Sequence, residues 1–349
     1  MGLNLLLVFV PVALALEQFH ANPILVFVAS ALAIVPLAGL MGRATEQLSA
    51  YVGPTIGGLL SASLGNAPEL IIAIFALREG LYDVVRASIT GSILGNTLFT
   101  LGMAMFLGGL RHQRQRFNPH AVSINSGLLV LAAIALIVPA LFKLTSVRQE
   151  HELSLEIALV LFVVYALSLV FSLKTHRTLF VQQDGPGEAA EEGKPRWSRN
   201  RALGMLAAVT IGVAIMSETL VGAIEPAASS LGLTPIFAGV ILLALVGNAA
   251  ELANAIRFAR QDMMDLTLGI AVGASLQVAL FVAPVLVFVS YAIGRPLDLL
   301  FTPFEVVAVT LAVFIVTRVT GDGESNWLEG AMLVAVYLIL AYAFYFLPA

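Results

Sequence analysis

The chain has 349 residues, of which 59% are hydrophobic and only 11% are charged, whereas soluble domains carry about 25% charged residues. The net charge of −4 argues against nucleic acid as a partner. The absence of cysteine excludes disulfides, thiolate catalysis and cysteine-based metal sites. The charges cluster between apolar runs of about 20 residues, the length that crosses a bilayer as a helix. We therefore expect an all-α polytopic membrane protein.

The first apolar run lies within "MGLNLLLVFVPVALALEQF". A short apolar stretch that ends near "ALA" is similar to a signal peptide with its cleavage site. Signal peptides begin with a basic segment, however, and residues 1–4 carry no positive charge. We predict a retained transmembrane helix within residues 1–22, with cleavage as the alternative.

Ten further apolar runs follow, which gives eleven predicted transmembrane helices. The runs after the first lie at about 23–42, 53–78, 84–110, 120–142, 152–173, 201–225, 233–259, 265–292, 301–318 and 327–347. The one long polar break, at residues 182–200, is rich in Gly, Pro and charged residues and is typical of a solvated linker. It divides a first five-helix unit at 23–181 from a second at 201–349.

The positions of Lys and Arg predict the orientation. If the linker is cytoplasmic, most of the 18 Lys and Arg residues fall on the cytoplasmic side, as the positive-inside rule requires. The N-terminus is then cytoplasmic and the C-terminus lies outside. Because five is odd, the second unit enters the membrane from the opposite side. Two such units form an inverted repeat, which is common in secondary transporters.

The repeat is visible in the residues themselves. "GNAPELIIAIFALREGLYD" at 65–83 aligns without a gap with "GNAAELANAIRFARQDMMD" at 247–265. Further on, "GSILGNTLF" at 91–99 aligns with "GASLQVALF" at 273–281. A weaker match pairs "ATEQL", which contains Glu46, with "MSETL", which contains Glu218.

Each copy of the motif carries one carboxylate near the middle of a predicted span, Glu69 and Glu251. An acidic side chain at the bilayer centre costs about 2.5–3.5 kcal/mol on insertion scales. A structural carboxylate is the alternative, but two acids in matching positions favour one shared site. Together they neutralise a divalent cation. When the cation leaves, desolvation and mutual repulsion favour protonation. The pair therefore predicts exchange of a cation for protons.

The residues around the carboxylates are typical of an interrupted helix. Gly65, Pro68 and Gly247 should loosen the backbone, and Pro68 leaves a carbonyl one turn before it without a donor. Such free carbonyls can face a cation at the bilayer midplane. A proline kink that serves only packing is the alternative. Ala250 replaces the proline in the second copy, so we expect the two half-sites to differ.

Polar side chains accompany both acids on the same or the next helix. This supporting set comprises Asn66, Asn248, Ser92, Asn96, Ser275 and Gln277. With the two carboxylates they make a set of oxygen donors that suits Ca²⁺. Interhelical hydrogen bonds and close helix packing are the alternative roles.

Five further acids lie near predicted helix ends. Glu46 and Glu218 are either relays for ions or interfacial residues, and the sequence leaves both open. Glu225, Glu305 and Glu329 are expected to be solvated. The five histidines have no metal-ligand spacing.

At these motifs the chain resembles the calcium/cation antiporter superfamily, and within it the proton-coupled exchangers. The resemblance covers predicted helices two to eleven. It implies an eleven-helix fold, Ca²⁺ and H⁺ bound in turn at Glu69 and Glu251, and alternating access by sliding of the first helices of each half. It implies no cofactor beyond the transported ions. Ala274 departs from the family, which has a second hydroxyl residue there. Leu70 and Leu252 flank the acids where sodium-coupled relatives carry polar ligands, which favours H⁺ over Na⁺.

Three rival functions remain to be tested. A Na⁺/Ca²⁺ exchanger or another divalent cation antiporter would use the same donors. A channel would conduct without a counter-ion. An enzyme is disfavoured because the chain contains neither "HExxH" nor "GxSxG". The short linker suggests a prokaryotic inner membrane, and the cation preference, the stoichiometry and homo-oligomerisation stay open.

Overall fold

The computed structural model describes residues 3–145, 150–176, 179 and 197–347, and these are almost entirely helical. The predicted linker at 182–200 lies outside the described residues up to position 196. A 3₁₀ turn at Leu3–Val8 precedes the first helix. In chain order the helices are α1 (Phe9–Gln18), α2 (Pro23–Val52), α3 (Pro54–Leu64), α4 (Ala67–Arg78), α5 (Tyr82–Gly109), α6 (Pro119–Thr145), α7 (Glu150–Val170), α8 (Arg199–Ser230), α9 (Pro235–Gly247), α10 (Ala249–Ala259), α11 (Met264–Ala292), α12 (Pro303–Val319) and α13 (Trp327–Phe346).

Within the described ranges, 7 helices are long and apolar enough to cross a membrane, or up to 9 if each bent pair is one span. The bent pairs are α3 with α4, at 43°, and α9 with α10, at 55°. The N-terminal apolar helix Asn4–Gln18 and the 17-residue α12 are shorter. The chain is therefore a multi-pass helical membrane protein, and the count of eleven spans stays a prediction.

The two long helices α2 and α8 make the most extensive helix contact in the described part of the chain. Their common surface is built from small and medium apolar residues. Ala33, Ile34 and Val213 are each fully buried there. Small side chains allow helix backbones to approach closely in a membrane, where packing rather than water exclusion drives association.

The second half of α5 packs against α13 through glycines. A Cβ added at Gly330 would overlap the backbone of Phe106. One added at Gly102 would lie 2.9 Å from the Cβ of Leu333. This contact depends on the absence of side-chain atoms, and it closes one flank of the molecule.

A short strand pairing joins two loops on the face where α7 ends and α8 begins, which we call the linker face. Strand β1 (Gln115–Arg116) runs antiparallel to β2 (Glu324–Ser325). The buried Gln115 side chain donates to the carbonyl of Ala259 at 2.8 Å and to Asp262 Oδ1 at 3.0 Å. The pairing therefore ties the end of α10 to the loops after α5 and α12.

The opposite face carries an ionic network. Arg86 pairs with Asp83 at 2.6 Å and also with Asp298. Near them, Glu305 Oε1 accepts a hydrogen bond from the Thr90 hydroxyl at 3.0 Å.

The expectation that Glu305 is solvated is wrong, since the residue is 3% exposed. It belongs to the capping box that starts α12, in which Glu305 Oε2 accepts from the backbone N–H of Thr302 at 2.9 Å. Hydrogen bonds from two helices compensate for its burial. Glu329 is half-buried in the capping box of α13, and Glu225 is exposed, as expected.

We expect Gly330→Ala to destabilise the protein by roughly 1–3 kcal/mol, because its Cβ would force α13 away from α5. Thermal unfolding of purified protein in detergent measures the effect. Gly222→Ala is the matched control, since its Cβ would meet nothing within 4 Å. Equal melting temperatures for the two variants would contradict the packing argument.

Candidate cation-binding site

Both carboxylates of the repeated motif lie in the first turn of a helix that follows a break. Glu69 is in the first turn of α4, and Glu251 is in the first turn of α10. The breaks fall at Asn66, with φ −103° and ψ 27°, and at Asn248, with φ −85° and ψ 9°. Each break creates a helix N-terminus inside the protein, where free N–H groups and the helix dipole favour negative charge.

The Glu69 side chain lies against the break in the other half of the chain. A Cβ at Gly247 would be 3.2 Å from both Cγ and Oε1 of Glu69. A Cβ at this position would require the Glu69 carboxylate to shift by a few tenths of an ångström. Gly247 lies four residues before Glu251, in the same copy of the motif. The two acids therefore belong to one site.

The first half-site is bridged to α11 by the amide of Asn66. Its Nδ2 donates to the carbonyl of Ala274 at 3.2 Å and to Gln277 Oε1 at 3.1 Å. Asn66 is buried, with 3% exposure. Gly65, beside it, also faces Gln277, since a Cβ there would lie 3.2 Å from the amide oxygen.

The second half-site repeats this bridge toward α5. Asn248 Nδ2 donates to the carbonyl of Ser92 at 3.5 Å, and Ser92 aligns with Ala274 in the repeat. Asn96 Nδ2 donates to Asn248 Oδ1 at 3.3 Å. Each motif asparagine thus reaches the equivalent carbonyl of the opposite half, so the halves interlock at the site.

The helices that accept these bridges locally widen. A π-helical stretch covers Gly95–Thr100 in α5, and another covers Val278–Val282 in α11. Asn96 lies within the first, and Gln277 directly precedes the second. The two amides are one position out of register in the alignment, yet both reach a motif asparagine. π-turns are frequent at functional sites because they reorient single side chains.

Three oxygen atoms of this site are buried and have no hydrogen-bond partner, namely Glu69 Oε2, Glu251 Oε2 and Asn96 Oδ1. An unsatisfied buried oxygen costs about 1–3 kcal/mol, and more when charged. Two carboxylates and one amide are hard oxygen donors that suit a divalent cation such as Ca²⁺. A proton on each carboxylate would remove its charge instead. The donor set thus fits either occupant.

The other predicted residues are placed differently. Ser92 contributes its backbone carbonyl, and the Ser275 hydroxyl donates to carbonyls of Ala271 at 3.1 Å and Ile93 at 3.5 Å. Glu46 and Glu218 are exposed on α2 and α8, and no contact joins them to the central acids in the described residues.

Two hydroxyl residues that directly precede these exposed glutamates were missed by reasoning from the sequence. Thr45 is 3% exposed and Ser217 is 0% exposed, and both hydroxyls lack a hydrogen-bond partner. Both belong to the weaker repeat match, in which Thr45 aligns with Ser217. A hydroxyl residue at the same position of both copies could have indicated these two residues. In both copies, however, it directly precedes a glutamate, and the glutamates were selected instead.

The two halves differ in how the helix before the break is packed. In the second half, α9 lies tightly on α5. A Cβ at Gly91 would overlap the backbone of Val240, and one at Gly239 would be 2.5 Å from the Cβ of Ala87. These glycines allow α9 and α5 to pack tightly in the half of the protein nearer the face where α9 begins, opposite the linker face.

In the first half, α3 does not make the equivalent contact with α11. Gly273 aligns with Gly91 and Gly269 aligns with Ala87, yet a Cβ at either glycine would meet nothing within 4 Å. A cavity of about 450 Å³ lies here, lined by both glycines, Tyr165, Gln277 and Ala62 among others. The cavity therefore reaches Gln277, whose amide oxygen accepts the hydrogen bond from Asn66, and it lies in the half where α3 stands away from α11.

Comparison with known proteins agrees with this architecture. Residues 22–174 and 201–346 match the family described as "Sodium/calcium exchanger protein". The chain belongs to this family. The "Ca(2+)/H(+) antiporter" of Synechocystis sp. is 48% identical, with 98% of this chain and 96% of that protein covered. The "Ca(2+)/H(+) antiporter" of Aphanothece halophytica is 46% identical, with the same shares covered.

A solved relative has the same fold. The structure titled "Structure of native YfkE" superposes with a TM-score of 0.86 at 40% sequence identity, covering 99% of this chain and 100% of that one. The resemblance inferred from the motifs is confirmed. The family match consists of two segments, one on each side of the predicted linker.

We expect Gly247→Ala to weaken Ca²⁺ binding about tenfold or more, because its Cβ would displace the Glu69 carboxylate by a few tenths of an ångström. Isothermal titration of the purified protein with Ca²⁺ measures the affinity. Gly204→Ala, in a helix where a Cβ meets nothing within 4 Å, is the control. Unchanged affinity in Gly247→Ala would show that the carboxylate position does not matter.

Proposed function

We propose that this protein is a Ca²⁺/H⁺ antiporter in which Glu69 and Glu251 bind Ca²⁺ and protons in turn. The observation that carries the proposal is the group of three buried oxygens without partners, two of them carboxylate oxygens. Such a site is stable when a cation or protons occupy it and unstable when vacant. A vacant site therefore disfavours the transition between faces, and this couples the two ion fluxes.

The relatives support the choice of ions. Two proteins named "Ca(2+)/H(+) antiporter" are 48% and 46% identical over nearly their whole length. The neighbours of the acids, Leu70 and Leu252, are apolar and add no ligand for Na⁺. Proton coupling is thus favoured over sodium coupling.

The architecture that we propose is one N-terminal helix followed by two inverted five-helix repeats, eleven spans in all. The reciprocal bonds from Asn66 to Ala274 and from Asn248 to Ser92 support it, since aligned residues make equivalent contacts across the halves. The two bent pairs, one in each half, support it as well.

Alternating access would exchange the packing states of the two halves. In the present structure α9 is closed on α5 while α3 is open beside α11. With the linker in the cytoplasm and the N-terminus on the same side, this is a cytoplasm-facing state in a prokaryotic inner membrane. The opposite state would close α3 onto Gly269 and Gly273 and release α9 from Gly91.

We expect an acid interior in everted vesicles to drive Ca²⁺ uptake, and Glu69→Gln or Glu251→Gln to reduce that uptake to the level of vesicles without the protein. Either change removes half of the negative charge that neutralises Ca²⁺ and one of the two proton sites. Uptake of ⁴⁵Ca²⁺ together with the collapse of the pH gradient measures coupling.

Glu225→Gln is the matched control, because Glu225 is exposed near the end of α8. It should transport like the unmodified protein. Persisting proton-driven uptake in either central variant, with normal amounts of folded protein in the membrane, would refute the assigned roles.

Replacing the proton gradient by an inward-directed or outward-directed Na⁺ gradient at constant pH should drive no Ca²⁺ flux. The neighbours of the two acids, Leu70 and Leu252, add no side-chain oxygen to hold additional Na⁺ ions. The same vesicles, clamped with a protonophore and buffer, provide the measurement. Na⁺-driven flux would identify the protein as a sodium-coupled exchanger, and flux without any counter-ion would identify a channel.

A further inference from the structure

Two buried tyrosines occupy mirrored places beside the site. Tyr165 of α7 stacks on Phe281, with ring centroids 5.1 Å apart and planes at 28°. Tyr337 of α13 packs on Phe99, with centroids 5.0 Å apart and planes at 33°. Phe281 and Phe99 are aligned residues of the repeat, and each tyrosine is 6% exposed. The motifs alone point to neither tyrosine, because α7 and α13 lie outside the aligned segments.

The tyrosine hydroxyls nevertheless differ. Tyr165 donates to the backbone carbonyl of Ala62 at 3.3 Å. Ala62 lies near the end of α3, four residues before Asn66. Its equivalent, Ala244, accepts instead from the backbone N–H of Asn248 at 2.9 Å. Across the described residues, Ala244 receives no hydrogen bond from Tyr337.

This difference follows the packing of the half-helices. On the open side, α3 stands away from α11 and the cavity reaches Tyr165 and Ala62. In the described chain no helical bond runs from the Asn66 N–H to Ala62, and the tyrosine hydroxyl replaces the missing donor. On the closed side, α9 packs on α5 and its last turn keeps the backbone bond to Ala244.

We propose that Tyr165 and Tyr337 are paired latches, each of which holds the displaced half-helix on its own side through a hydroxyl bond to Ala62 or Ala244. In the present state Tyr165 is engaged and Tyr337 is released. In the opposite state the roles exchange. The aromatic stacking keeps each ring in place, so that only the position of the half-helix decides whether its carbonyl is within reach.

This inference deepens the proposed alternating access and rests on it, and it assigns positioning roles to residues that do not touch the transported ions. A capping role confined to Tyr165 would affect the stability of α3 and nothing on the far side. Latches in mirrored places predict effects of opposite sign from two equivalent substitutions. That difference in sign can be measured without any transport assay.

The chain contains no cysteine, so a single introduced thiol reports on one position. Leu98 of α5, the helix on which α9 is closed, is 0% exposed, and it aligns with Leu280, which lines the open cavity. A thiol at Leu98→Cys should react with N-ethylmaleimide only when α9 is displaced. Its alkylation rate is then proportional to the population of the opposite state.

In the full-length protein in detergent, we expect Tyr165→Phe to raise the alkylation rate of Leu98→Cys about fivefold. Tyr337→Phe should lower that rate about fivefold. Each factor corresponds to the removal of one neutral hydrogen bond from the state that it stabilises. Phenylalanine keeps the ring stacking, so only the hydroxyl is tested.

Val309→Cys, 1% exposed in α12, is the control reporter for general loosening. Its rate should be unchanged by either substitution. An unchanged Leu98→Cys rate in Tyr165→Phe, or a rise in both reporters with both substitutions, would overturn the latch. If the alkylation rates change in opposite directions but the protein does not exchange Ca²⁺ for H⁺, the latch is supported and the proposed function is refuted. If the protein exchanges Ca²⁺ for H⁺ but neither tyrosine substitution changes the alkylation rate, the proposed function is supported and the latch is refuted.

Discussion

The fold is organised around the cost of holding two carboxylates inside a low-dielectric protein. Glu69 and Glu251 each keep one oxygen buried and without a hydrogen-bond donor. An ordinary continuous helix would leave these charges with nothing to offset desolvation. The breaks at Asn66 and Asn248 place each acid at a helix N-terminus, where the dipole offsets part of the cost. In the mechanism that we propose, a bound cation or a proton supplies the rest.

The same constraint explains the small residues around the site. Gly247 leaves room for the Glu69 carboxylate, and Gly65 leaves room for the amide of Gln277. The motif asparagines carry no charge, and their N–H groups donate to carbonyls of the opposite half. These bonds hold the halves in register while leaving the acid oxygens free. Hydrogen bonds therefore hold the backbone around the site, while one oxygen of each central carboxylate has no hydrogen-bond partner.

The two halves have equivalent small residues beside the broken helices, but the broken helix is packed closely in one half and not in the other. Small residues along α5 accept α9, and equivalent glycines along α11 lie open beside the cavity. In the exchange of states that we propose, one glycine contact would replace another, and one hydrogen-bond donor to a carbonyl would replace another. Because the contacts in the two states would be chemically alike, the states can lie close in free energy. The Arg86 network and the strand pairing with Gln115 join helices and loops at the two faces, away from the central acids.

The length of apolar runs and the identity of residues in short motifs can be read directly from the sequence. These features were enough to predict a membrane protein, the paired carboxylates and the sequence repeat that aligns Asn66 with Asn248. The contacts between distant helices required the folded chain. Asn96 and Gln277 meet the motif asparagines from positions one residue out of register, Asn96 within a π-helical stretch and Gln277 directly before one.

The burial of Glu305 and the bond from Tyr165 to Ala62 are likewise properties of the packing, since they join residues about 100 to 215 positions apart. A short sequence motif does not predict contacts between residues so far apart in the chain. Two similar half-sequences also cannot reveal which half is open. That difference depends on contacts between helices far apart in the chain, and the folded structure shows it at Gly269 and Gly273 of α11, where a Cβ would meet nothing within 4 Å.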